Sequence, residues 1–278
     1  MSAISPLIST DELAAALNAP DLRVVDASWH LDGRDGRPDF EAARIPGAVF
    51  LDLEASSDPA SPLPHMLPSP EALAERMGAL GLSADDRIVV YDTIGLWSAP
   101  RVWWMLRTMG AARVQVLDGG LPKWRAEQRP VASGPATAPD PAHFRSRLDA
   151  AAVADIDDVR SALDNGLPVI DARSPARFAG QAPEPRPGLR SGHMPGAINV
   201  PFSRLIEADG TMKRGAALEA AFRDAQIDPD SPVITTCGSG VTAAVLSLGL
   251  AVLGRRSRLY DGSWAEWGGR ADTPVETD

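Results

Sequence analysis

Cysteine is almost missing from this chain: Cys237 is the only one among 278 residues. No intramolecular disulfide can form, which fits a reducing compartment where thiols stay free. Long apolar runs are missing too. The longest, Ala243 to Gly254, is interrupted by Ser247 and is too short to cross a bilayer, so it predicts a buried helix. The first twenty residues have no basic start and no continuous apolar stretch. No secretory signal is expected, and the cytoplasm is the expected location. Positive charge is in short supply, with 27 Lys and Arg against 37 Asp and Glu and a net charge of −10. That balance disfavours nucleic acid and anionic membrane surfaces as partners, because both reward positive patches. An anionic substrate would need specific arginines to overcome the field locally. His30, His65 and His143 show no mutual spacing of the kind metal ligands have, so no metal is expected.

What is present is ordinary for a globular protein: 44% hydrophobic and 23% charged residues, enough to bury a core without disulfides or metals. The sequence is also internally repeated. Val24-Val25-Asp26-Ala27 matches Val169-Ile170-Asp171-Ala172, and Ile45-Pro46-Gly47-Ala48 matches Met194-Pro195-Gly196-Ala197. Ile88–Tyr91 matches Val233–Thr236, and Leu117-Asp118-Gly119-Gly120 matches Tyr260-Asp261-Gly262-Ser263. Trp124 and Trp267 follow the last pair. Four matches in one order at nearly constant spacing identify two copies of one domain.

Each copy alternates short β-branched runs with amphipathic stretches such as 69–80 and 215–226, which predicts parallel sheets covered by helices on both faces, an α/β fold. Ser69-Pro70-Glu71 is a helix start, with proline at the first helical position. Arg129 to Pro141 is rich in Pro, Ala and Gly without periodicity and reads as a linker. The expected organisation is a first domain over 1–130, a linker over 131–150 and a second domain over 151–278.

The chemistry concentrates at Cys237-Gly238-Ser239-Gly240-Val241-Thr242, between an apolar strand and a helical stretch. Open α/β sheets bind ligands at the C-terminal ends of their strands. Two glycines permit a tight turn whose backbone N–H groups point inward and, with the helix N-terminus, stabilise negative charge. Such a nest favours the nucleophilic thiolate. The first copy has Asp92 in the corresponding place, so only one copy is equipped for this chemistry. The glycines also fit a dinucleotide fingerprint, but only 17 residues follow Asp261, too few for that fold. A cysteine phosphatase needs arginine where Ala243 stands.

These residues, together with SPLPHMLP (61–68), SAPRVWWMLR (98–107), LDGG (117–120), GHMPGAINVPF (192–202), CGSGVTA (237–243) and YDGSWAEW (260–267), resemble the tandem-domain rhodanese superfamily. Within it they are similar to the 3-mercaptopyruvate sulfurtransferases, over nearly the whole chain. The resemblance implies two rhodanese-like domains, an inactive N-terminal one and a catalytic C-terminal one, and no cofactor. Thiosulfate-preferring members resemble C-R-K-G-V-T. Gly238 and Ser239 remove both cations from that pattern, which suits a thiol-bearing monoanion better than a dianion. The resemblance also implies two arginines for the donor's carboxylate and ketone, matching Arg177 and Arg186, and guanidinium forks suit that task.

The implied site is therefore Cys237 and Ser239 for catalysis, with Arg177, Arg186, Gly238, Gly240, Val241 and Thr242 binding substrate. The implied reaction moves sulfur from 3-mercaptopyruvate, through a Cys237 persulfide, to thioredoxin, a small thiol or cyanide. A thiosulfate:cyanide sulfurtransferase and a non-catalytic persulfide relay are the alternatives. Relatives usually carry a histidine before Ile-Pro-Gly that is proposed to relay protons with the loop serine. Arg44 occupies that place here and cannot act as a base, so such a relay is not expected through it. Asp35 lies in the preceding loop, where a relay acid would be sought, and His193 is expected to be structural.

Overall fold

The computed structural model describes residues 4–278. The chain forms two compact units. The first runs to Pro59, resumes over Leu67–Asp149 and takes in Ala208–Met212; the second comprises Ala60–Met66, Ala150–Glu207 and Lys213–Asp278. Each unit therefore includes a short piece drawn from the other's stretch of sequence.

The first unit holds strands β1 (Leu7–Ile8), β2 (Leu22–Asp26), β3 (Val49–Phe50), β4 (Arg87–Tyr91) and β5 (Val114–Leu117), in the order β1-β5-β4-β2-β3. All pairings are parallel, with Val24 opposite Val89 and Asp26 opposite Tyr91. The second unit repeats this with β6 (Val153–Ala154), β7 (Val169–Asp171), β8 (Ile198–Asn199), β9 (Ile234–Thr236) and β10 (Arg258–Tyr260), in the order β6-β10-β9-β7-β8. The central strands are buried on both sides, which is why they read as continuous apolar runs rather than alternating ones. Both expected sheets are present. The edge strands β1 and β6 were not among the expected runs.

The helices sit where their signals fall. Pro70–Ala79 starts at Ser69, whose side chain accepts from Ala72 N–H, and Ala243–Val252 is the expected buried helix. No helix among the described residues is long and apolar enough to cross a membrane. The repeated tryptophans have the same role in both units. Each is fully buried, and each indole N–H donates to a proline carbonyl at 2.8 Å, Trp124 to Pro130 and Trp267 to Pro274.

One repeated position differs in its chemistry. Asp171 at the end of β7 is bound by the buried Arg173, Nη2 to Oδ2 at 2.7 Å. In the first unit the matching carboxylate, Asp26, has no arginine: Ser28 N–H and Oγ both donate to its Oδ1, and the Tyr91 hydroxyl lies beside it. Burial, and to a lesser degree the charge of Asp92, push the Asp26 carboxyl up to about 6. The folded state thus holds this proton more tightly than the unfolded chain does. Its stabilising contribution is full below about pH 4 and is lost as pH rises through about 6. We expect Asp26→Asn to stabilise the chain at pH 7.5 by about 3 kcal/mol and to flatten this part of the pH profile. Urea unfolding at pH 7.5 and pH 4.5 checks it, and equal slopes in parent and variant contradict it.

Candidate active site

The site is built at the end of β9. Cys237 follows the strand directly and is 2% exposed. Gly240 turns the loop at φ 77°, a left-handed value that glycine adopts without a Cβ penalty. Buried Val241 anchors the loop, and Thr242 leads into the helix Ala243–Val252. A second short helix, Ser263–Trp267, clamps the loop's backbone: Trp264 N–H donates to the Cys237 carbonyl at 2.9 Å and Ala265 N–H to that of Gly238 at 2.8 Å.

Ser263 carries the cost of this arrangement. Its φ of 50° is left-handed, a conformation that costs a non-glycine residue roughly 1–2 kcal/mol. The matching residue of the first unit is Gly120, at φ 56°. The serine hydroxyl offsets the strain by donating to the Tyr260 carbonyl at 2.8 Å and accepting from Cys237 N–H at 3.3 Å. It thereby fixes the residue bearing the thiol. No sequence signal singled out Ser263, since its role depends on a backbone angle.

Ser239 Oγ lies 3.0 Å from His65 Nδ1, and both side chains are buried. His65 belongs to the piece Ala60–Met66 that packs with the second unit. The histidine partner of the loop serine therefore comes from SPLPHMLP and not from the position before Ile-Pro-Gly. Arg44, which occupies that other position, is buried and spends its guanidinium on the carbonyls of Gly134 and Pro135 while stacking over Phe40. Asp35 accepts from Arg37 N–H in an exposed turn. His193 Nδ1 bonds the Phe178 carbonyl at 2.9 Å, and its ring stacks on Phe178.

Arg177, in the short helix Pro175–Phe178, lies against the loop. Its Nη2 is 2.8 Å from the point where a Cβ on Gly238 would stand. It is held there by Glu184, which accepts from Arg177 Nε and Nη2 and from Arg173 Nη1. The Glu184 side chain is 1% exposed and that of Arg173 wholly buried, so Asp171, Arg173, Glu184 and Arg177 form one charge-balanced network. The family resemblance pointed to Arg177 but not to the glutamate that aims it. Arg186 is half-buried in the loop that follows.

The first unit shows what such a loop does with an anion. Asp92 follows β4 as Cys237 follows β9, and its carboxylate is wholly buried. Oδ1 accepts from the N–H groups of Ile94 and Gly95; Oδ2 accepts from those of Trp97, Ser98 and Ala99. Five amides converge on one negative charge, as expected of a loop leading into a helix N-terminus. We expect Asp92→Ala, which strands these donors, to destabilise the chain by at least about 3 kcal/mol in thermal melting. A melt matching the parent's contradicts this account of the loop.

A rhodanese-like domain is matched twice along the chain, over residues 9–127 and 155–270. The chain belongs to the rhodanese family. It is 44% identical over 274 residues to the 3-mercaptopyruvate sulfurtransferase of Escherichia coli (strain K12), covering 97% of each protein. It is 40% identical over 281 residues to the thiosulfate sulfurtransferase of Rattus norvegicus, covering 98% of this chain and 94% of that one. The crystal structure of SseA from Escherichia coli, described as a 3-mercaptopyruvate sulfotransferase, superimposes with a TM-score of 0.85 at 41% identity, over 94% of this chain and 99% of that one. The family and the paired α/β fold expected from the repeats therefore both hold.

Proposed function

We propose that this protein is a sulfurtransferase that takes sulfur from 3-mercaptopyruvate onto Cys237, releases pyruvate and delivers the sulfur to a thiol or to cyanide. One observation carries the reading most. Around the single cysteine, the serine–histidine pair Ser239–His65 and the pinned guanidinium of Arg177 converge on the loop, with a glycine, not a cation, at position 238. The similarity to the Escherichia coli relative supports the same donor.

In the first half-reaction the Cys237 thiolate attacks the donor sulfur. An S–S bond forms, the donor's C–S bond breaks, and the electron pair passes to carbon as the enolate of pyruvate. The donor's thiol proton ends on that carbon, so cysteine thiolate plus mercaptopyruvate becomes cysteine persulfide anion plus pyruvate. Ser239 and His65 form a buried path for this proton. Arg177 and Arg186 bind the carboxylate and ketone and stabilise the enolate's charge, while the loop amides stabilise the sulfur anions. In the second half-reaction an acceptor, either cyanide or a thiol such as thioredoxin or a small thiol, attacks the outer sulfur and regenerates the thiolate.

Removing Arg186 costs a charge-assisted contact of about 1.5–3 kcal/mol, so Arg186→Ala should raise KM for mercaptopyruvate by roughly tenfold or more. An unchanged KM removes that residue from the site. The similarity to the rat enzyme favours thiosulfate as a second donor. Initial rates with the two donors side by side distinguish them: faster turnover with thiosulfate would overturn the proposed preference. Persulfide transfer from a partner without pyruvate release would mark a relay module instead.

A further inference from the structure

The first unit retains a cavity where the second has its reactive loop. Three matching segments frame it: the stretch after β2, the loop after β4 and the helix Gly120–Ala126 after β5. It is open to solvent on one side, with a volume of about 670 Å³. No thiol is present at its loop, and Asp92 already occupies the amides that would hold an anion there. The cavity is therefore suited to binding rather than to covalent chemistry.

Its polar groups are unevenly satisfied. Arg34 is neutralised by Asp39, Nη1 to Oδ2 at 2.7 Å. The Arg125 guanidinium makes no hydrogen bond or ion pair among the described residues and is the uncompensated cation of the cavity. Two buried polar atoms of the lining have no hydrogen-bond partner, Thr93 Oγ1 and His30 Nε2. The latter lies 2.9 Å from Asp39 Oδ2 but off the line a hydrogen bond needs, and His30 itself is 5% exposed. Orphaned buried polar atoms are rare in native proteins and mark places where another molecule completes the bonding. The remaining wall is apolar, from Leu121 and Pro122 to Ile94, which is 53% exposed. Concave sites with an apolar wall and a few convergent polar groups are where small molecules bind.

We propose that this cavity is a second, non-catalytic site for a small organic monoanion: a carboxylate with a short aliphatic body, its charge on Arg125 and its remaining oxygen bonds on Thr93 and His30. The proposal is independent of the sulfur-transfer reading, since no residue of the loop at Cys237 takes part.

The probes are 3-methylbutanoate and its neutral amide, titrated into the full chain by ligand-observed NMR. Saturable binding of the acid is expected, weakened about fivefold or more by Arg125→Ala, largely restored in Arg125→Lys and reduced by Thr93→Val. The amide should bind the parent no better than the acid binds Arg125→Ala. Arg186→Ala, which alters the second unit, should leave the acid's affinity unchanged. The proposal is overturned if the acid shows no saturable binding, if acid and amide bind equally, or if Arg186→Ala abolishes binding while Arg125→Ala leaves it intact.

Discussion

Cys237→Ser is expected to lower pyruvate release from 3-mercaptopyruvate by about 10⁴-fold or more, while the chain keeps its fold. The two halves of this expectation have separate causes. The fold survives because the contacts that fix residue 237 are made by its backbone, through Ser263 Oγ and Trp264 N–H. Serine also fits the space of a cysteine that is 2% exposed. Activity is lost because a hydroxyl stays protonated near neutral pH and forms no persulfide. With no second cysteine in the chain, no other thiol can substitute. A variant that melts like the parent and keeps more than about a hundredth of its rate would refute the role of Cys237.

Glu184→Gln is the second substitution expected to have a large effect. The carboxylate lies between two guanidinium groups, with Arg173 wholly buried and Arg177 21% exposed on its side chain. Breaking a buried ion network by removing one partner costs about 3–5 kcal/mol, and the exposed share of Arg177 places this case toward the lower end. Glutamine also turns an NH2 group toward one of the two arginines and releases Arg177 from its place over Gly238. We expect KM for mercaptopyruvate to rise at least about tenfold with a smaller change in kcat, and thermal stability to fall. Glu184→Asp should lie between parent and variant, because it keeps the charge at a shorter reach. A destabilised variant with unchanged KM would show that Glu184 supports the fold without aiming Arg177.

The legible parts of this protein were those written locally. Repeated runs ending in Asp26 and Asp171 disclosed two parallel sheets, because strands covered on both faces must be apolar throughout. Cys237 between a strand and a Gly-X-Gly turn disclosed the reactive loop. His65 was not legible as the partner of Ser239, because the two lie 174 residues apart and meet only when Ala60–Met66 packs with the second unit. Glu184 stands in a polar loop, and nothing in its neighbours announces that its carboxylate is buried against two arginines. Ser263 matters through a left-handed backbone, and Asp92 through five amides that converge only in three dimensions. In each case the missing information is a long-range contact or a dihedral angle, and residue type alone encodes neither.

The proposed chemistry requires the protein itself to hold the transferred atom between the two half-reactions. Incubating it with 3-mercaptopyruvate alone, removing the donor and weighing the intact chain tests that directly. The expected result is a gain equal to one sulfur atom, located at Cys237, matched one for one by pyruvate and discharged on adding cyanide or a thiol. Pyruvate formation without any such gain in mass would contradict it.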